Sequence, residues 1–127
     1  MGAWGLLFDE NDDAADWLAD FGDVLDWSIV DQAFDCAGDD YLEAPECSNA
    51  LAAAEVVAAG IGKASPRLDR AIVEWAGQAP QEAELRRAKA ADVIARVRDD
   101  SELSELWQDS DEYADWQRSV NETLSRL

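Results

Sequence analysis

Apolar side chains recur along this chain at spacings of three and four, a pattern that predicts helices almost throughout. Ala14, Trp17, Leu18, Phe21, Val24 and Leu25 form a first stripe, with Asp9, Asp13, Asp16, Asp20 and Asp23 on the opposite side. Asn11 to Asp13 suit the start of that helix, because their side chains accept hydrogen bonds from free N–H groups and favour its positive end. Gly22 is a predicted break. A second helix is expected from about Asp26 to Cys36, burying some of Trp27, Ile29, Val30, Ala33 and Phe34. Gly38-Asp39-Asp40 reads as a turn. A third helix opens at Pro45 and stops at Gly60. It is apolar nearly all round apart from Glu55, which predicts a central, buried element. Ser65-Pro66 predicts the cap and first turn of a short helix carrying Leu68, Ile72 and Trp75 to Gly77. A long helix after Pro80 carries Ala90, Val93, Ile94 and Val97. Asp99 to Ser101 restart the chain for a short helix with Leu103, Leu106 and Trp107. The last helix opens at Ser110-Asp111-Glu112 and turns Tyr113, Trp116, Val120, Leu124 and Leu127 inward.

No alternating run of β-branched residues reaches strand length. Residues 3–8 could be extended, but no partner strand is in view. The expected fold is all-α: an irregular single-domain bundle of six or seven helices over residues 1–127, with a short extended N-terminal segment. A chain of 127 residues with 48% hydrophobic content, six Trp, three Phe and two Tyr can build such a core.

Charge changes the picture most. Asp and Glu number 29 and Lys and Arg 10, a formal net charge of -19. The first basic residue is Lys63, so residues 1–62 hold 15 acids and no bases, against 14 acids and 10 bases in residues 63–127. Such a field repels nucleic acid and anionic membranes and attracts a cation or a basic protein. No basic leader, secretory signal or membrane-length apolar run is present. Two cysteines make no disulfide framework, and a cytoplasmic protein with reduced thiols is expected.

The candidate chemistry is narrow. Without histidine there is no Ser–His or Cys–His pair, and the commonest metal ligand is missing. No phosphate loop, nucleotide motif or structural zinc set occurs, so no cofactor and no metal is expected. Cys36 and Cys47 read as small apolar residues, or as thiols whose pKa a helix end lowers. Asp9, Asn11 and Asp13 match alternate positions of a calcium loop, but Ala14 and Asp20 stand where that loop needs Gly and Glu. Glu55 breaks an apolar helix. A buried carboxylate requires a partner, and Arg67 or Arg70 on the next helix is the expected one. Alternatively Glu43, Glu46 and Glu55, with Tyr41, line a pocket capable of acid–base chemistry or ligand binding. Finally, Asp13, Asp16, Asp20 and Asp23 stack along one helix side. Such a ladder can plug a basic groove, with Trp4 and Phe8 as aromatic anchors or as core.

These segments resemble a bacterial family known as domain of unknown function 4259. Met1-Gly2-Ala3-Trp4-Gly5 and Asn11-Asp12-Asp13-Ala14 are similar to its opening, and Tyr41 to Glu46 running into residues 50–59 to its central block. Asp100 to Trp107 and Asp115-Trp116 resemble its C-terminal pattern. One departure is Leu6-Leu7-Phe8-Asp9, where the family usually has glycine then phenylalanine immediately before the Asn-Asp pair. The resemblance implies a small bacterial stand-alone protein and carries over no catalytic residues.

The leading expectation is a non-enzymatic acidic protein that docks on a basic protein partner, immunity- or antitoxin-like inhibitors being one such class. The alternatives are a small enzyme or ligand-binding domain with a carboxylate-lined pocket, and calcium binding at the N-terminal acidic loop.

Overall fold

The structure, a computed structural model, describes residue 8 and residues 10–36 and 41–127. Trp4, Asp9, the turn at 38–40 and all but the end of the expected extended segment lie outside the described residues.

The described chain is all-α and holds seven helices: α1 (Asp12–Val24), α2 (Trp27–Cys36), α3 (Ala44–Gly60), α4 (Arg70–Gly77), α5 (Pro80–Asp99), α6 (Glu102–Gln108) and α7 (Tyr113–Ser125). Central α3 touches each of the other six. Every residue from Cys47 to Gly60 is buried except half-buried Asn49. Its alanines permit this, since small side chains on all faces let several backbones approach one helix. Gly60 marks a close approach: a Cβ there would lie 2.4 Å from the Cβ of Ala83 on α5.

Side chains set the helix starts. Asn11 accepts from the Ala14 N–H at 2.8 Å, and Ser101 accepts from the Ser104 N–H at 3.0 Å while donating to the Val97 carbonyl at 2.6 Å. Prolines occupy the first turns of α3 and α5, where the missing N–H costs nothing. The N-terminus of α3 takes its cap from a distant helix: Glu102 on α6 accepts from the Ala44 N–H at 2.8 Å.

Four local expectations differ. Gly22 does not end α1, which continues to Val24 and closes on Leu25 in the left-handed region at φ 53°. A single exposed glycine weakens a helix by about 1 kcal/mol, less than the packing of Phe21 and Trp17 supplies. Ser65-Pro66 makes a turn instead of a helix start: Ser65 accepts from the Arg67 N–H at 3.2 Å, and Asp69 caps α4 through the Ala71 N–H at 2.9 Å. Val24, part of the predicted first stripe, and Leu106, counted among the apolar residues of the short helix, are 61% and 39% exposed. Both stand near the ends of their helices, where neighbouring elements no longer cover the apolar stripe.

Aromatic rings link the elements. Trp17 stacks on Phe21 with centroids 5.1 Å apart, Phe21 meets Trp75 edge-on at 5.5 Å, and Trp75 meets Trp27 at 4.9 Å. The Arg86 guanidinium lies over Trp27, 5.1 Å from the ring centre. A second cluster stacks Trp116 against Trp107 and Tyr113 at 6.3 and 6.1 Å, joining α6 to α7.

Candidate functional site

The four residues expected to share a pocket do not converge. Glu46 and Glu55 both lie on α3, but nine positions put them about half a turn apart and about 13 Å along the axis. Tyr41 is exposed and its hydroxyl donates to Glu105 on α6. That bond, which stabilises the protonated phenol, pushes the Tyr41 pKa up to about 12. Glu43 is exposed at the N-cap of α3 and makes no side-chain cap bond. Glu55 therefore stands apart from Glu46, and the expected four-residue pocket is not assembled.

Glu55 is fully buried. Its carboxylate accepts from the Thr123 hydroxyl at 2.8 Å and from both terminal nitrogens of Arg126, the second at 2.8 Å. Arg126 also reaches the Lys63 carbonyl at 3.4 Å. Its pKa is raised, chiefly by the bond to Glu55. The expected partners are elsewhere: Arg70 pairs along α4 with Glu74 at 3.4 Å, and Arg67 stands beside Ala15, Leu18 and Ala19 of α1. The end of α7 covers the face of Glu55, where Arg126 also bridges to the chain that leaves α3. Thr123 gave no signal in the sequence, because the inward stripe passes from Val120 to Leu124; in the structure Thr123 is buried and Leu124 half-buried. Glu55 thus acts as the anchor of the C-terminal segment on the central helix.

The acidic side of α1 is as the periodicity drew it. Asp13, Asp16, Asp20 and Asp23 are all exposed, and none joins the ion pairs formed among the described residues. The acids of α2 contrast with them. Asp31 is held in a fork by Arg86 at 2.7 and 2.9 Å, and Asp35 lies 3.9 Å from Lys89, both cations arriving from α5. Phe8, read either as an aromatic anchor beside the ladder or as core, is 7% exposed and belongs to the hydrophobic core. An aromatic side chain at the entrance to α1 gains more from the apolar interior than from solvent.

Of the calcium reading's residues, Asp9 lies outside the described residues and the other two belong to the start of α1. Asn11 spends its side-chain oxygen on the Ala14 N–H, and Asp13 is already in α1, where helical geometry points successive side chains apart. Among the described residues no group of three or more His, Cys, Asp or Glu side chains could hold a metal ion. The thiols also separate. Cys47 is buried, as its reading as a small apolar residue expected, and burial pushes its thiol pKa up against the lowering hydrogen bonds of Ser101 and Leu103. Cys36 is exposed at the end of α2.

One concavity had no counterpart among the sequence expectations. A cavity of about 210 Å³ opens between α1, α2 and α3, walled by Trp17, Ile29, Gln32, Cys36, Glu46 and Asn49. Glu46 is half-buried and its side chain takes part in no hydrogen bond or ion pair among the described residues. The Asn49 Oδ1 atom is buried without a hydrogen-bond partner. Three helices supply these residues, so no local pattern could have joined them.

Fold and site together define an all-α bundle wrapped around an alanine-rich helix, with a buried carboxylate tied to the last helix and an uncompensated acidic face on the first. The chain belongs to the family described as domain of unknown function, DUF4259, whose model matches residues 2–119. No curated protein and no solved structure matches it. Among the described residues no helix is long and apolar enough to cross a membrane.

Proposed function

We propose that this protein is a non-enzymatic binding protein that docks the acidic face of α1 on a basic protein partner, in the manner of an immunity- or antitoxin-like inhibitor, in the cytoplasm. The observation that carries the reading is the contrast between α1 and α2. The bundle matches the acids of α2 with cations from α5, while Asp13, Asp16, Asp20 and Asp23 face solvent on consecutive turns, outside the ion pairs of the described residues. Carboxylates at that pitch create a directional negative field that steers a basic partner and fixes its register. The free thiols of Cys36 and Cys47 support a reducing compartment.

The test starts with the immobilised protein in cell extract at about 50 mM and about 500 mM salt, concentrations that bracket strong and weak screening. Retained proteins are identified by mass spectrometry, then purified and titrated. The expected result is one partner of high isoelectric point, released by salt. Its affinity falls at least about tenfold for the variant carrying Asp13→Asn, Asp16→Asn, Asp20→Asn and Asp23→Asn. No capture at low salt, or equal affinity for the variant, overturns the proposal.

A further inference from the structure

The fold already builds one complete receptor for a guanidinium group and fills it with its own side chain. The Arg86 guanidinium carbon lies over the Trp27 indole, 5.1 Å from the ring centre, and its nitrogens donate to Asp31 at 2.7 and 2.9 Å and to Glu82 at 2.8 Å. An aromatic face, a carboxylate and an additional oxygen acceptor are what a planar organic cation requires.

The cavity between α1, α2 and α3 assembles the same kinds of group around a space that none of the chain's described cations shares. Trp17 supplies the indole, held in place by its stack on Phe21 at 5.1 Å. Glu46 supplies a half-buried carboxylate that no cation pairs with among the described residues. Asn49 and Gln32 add amide side chains at the wall. Ile29 offers an apolar surface for an alkyl stem. Anions are disfavoured by Glu46 and by the chain's net charge of -19. A neutral apolar molecule would leave the carboxylate desolvated and unpaired. The volume of about 210 Å³ suits a group the size of an alkylguanidinium or alkylammonium.

We propose that this cavity is a binding site for a small organic cation with an alkyl stem, its charged head on Glu46 and its body against Trp17 and Ile29. The same chemistry is presented by a free amine or guanidine and by a lysine or arginine side chain of a protein. The site is separate from the Asp13–Asp23 ladder, so it stands or falls independently of the docking proposal.

The probes are n-butylguanidinium, n-butylammonium and the uncharged isostere n-butylurea, titrated into the full-length protein by calorimetry. A parallel readout is the alkylation rate of Cys36, the exposed thiol at the cavity wall, with buried Cys47 as internal control. The expected result is saturable binding of the cations at about millimolar Kd, slowed alkylation of Cys36 alone, and no effect of the urea. Glu46→Gln, a substitution at a half-buried position that preserves shape, weakens the cations at least about tenfold. Trp17→Leu does so as well, with far-ultraviolet circular dichroism confirming that each variant is folded. The Asp13→Asn/Asp16→Asn/Asp20→Asn/Asp23→Asn variant retains most of the affinity, which separates this site from the acidic ladder. An N-acetyl, C-amide tripeptide with central arginine distinguishes the sources: at least tenfold tighter binding than n-butylguanidinium assigns the site to a protein side chain, and equal or weaker binding assigns it to a free small molecule. Absence of saturation by either cation, unchanged affinity in folded Glu46→Gln, or equal binding of the urea overturns the proposal.

Discussion

Glu55 and Arg126 illustrate why a buried charge is read most reliably from its partner. Neither residue would be stable in its position alone: a carboxylate in the interior is tolerated only because Thr123 and both arms of the guanidinium meet its oxygens. Arg126→Ala leaves Glu55 uncompensated and is expected to lower the unfolding free energy by about 3–5 kcal/mol, whereas replacing Glu55 and Arg126 together with leucine is expected to recover most of that loss. Urea titrations of the three proteins check this. A double variant no more stable than Arg126→Ala would show that the pair contributes through a specific geometry that apolar packing cannot replace. Legibility at this scale was uneven. That Glu55 needed a cation was evident from one acid in an apolar helix. Which cation was not, because the bond spans 71 residues of sequence and nothing local distinguishes Arg126 from Arg67 or Arg70.

At the scale of elements, the two glycines of helices α1 and α3 make opposite demands. Gly22 faces open space on an exposed helix surface, with nothing within 4 Å of where a Cβ would stand, whereas a methyl on Gly60 would meet Ala83 at 2.4 Å and the Ala76 carbonyl oxygen at 3.4 Å. Gly22→Ala is therefore expected to stabilise by about 0.5–1 kcal/mol through reduced chain entropy and better helix propensity. Gly60→Ala is expected to destabilise by about 1–3 kcal/mol, because α3 and α5 must separate. Thermal melts of both variants decide the point, and a Gly60→Ala protein as stable as wild type would mean that the contact between α3 and α5 is loose. Helix content was legible because periodicity and caps act within one or two turns. The start of α4 was not, since Ser65-Pro66 and Asp69 are both adequate caps and only the packing of Leu68 and Ile72 selects between them.

For the whole molecule the surplus of negative charge is a cost as well as a property. With -19 on 127 residues, self-repulsion opposes the compact state, and added salt screens it. The melting temperature is expected to rise by a few degrees between about 20 and about 500 mM sodium chloride, despite the weakening of exposed pairs such as Arg70–Glu74 and Arg118–Asp115, which contribute little individually. Differential scanning calorimetry across that range tests it. A falling melting temperature would show that the ion pairs between α2 and α5 outweigh the repulsion along α1. Such a fall would also weaken the case for α1 as an uncompensated face.

Sequence alone established the all-helical architecture, the central position of the alanine-rich helix and the acidic side of α1. Each is encoded in spacings of three and four residues and in capping groups that act on their own neighbourhood. Tertiary structure decided which surfaces meet: that Phe8 turns into the core, that Glu46 and Glu55 face different neighbours, that α7 closes over Glu55, and that Trp17, Glu46 and Asn49 wall one cavity. Those outcomes depend on how helices cross, and crossing is governed by the shapes of whole faces packed at interior density, a property that no short stretch of chain contains.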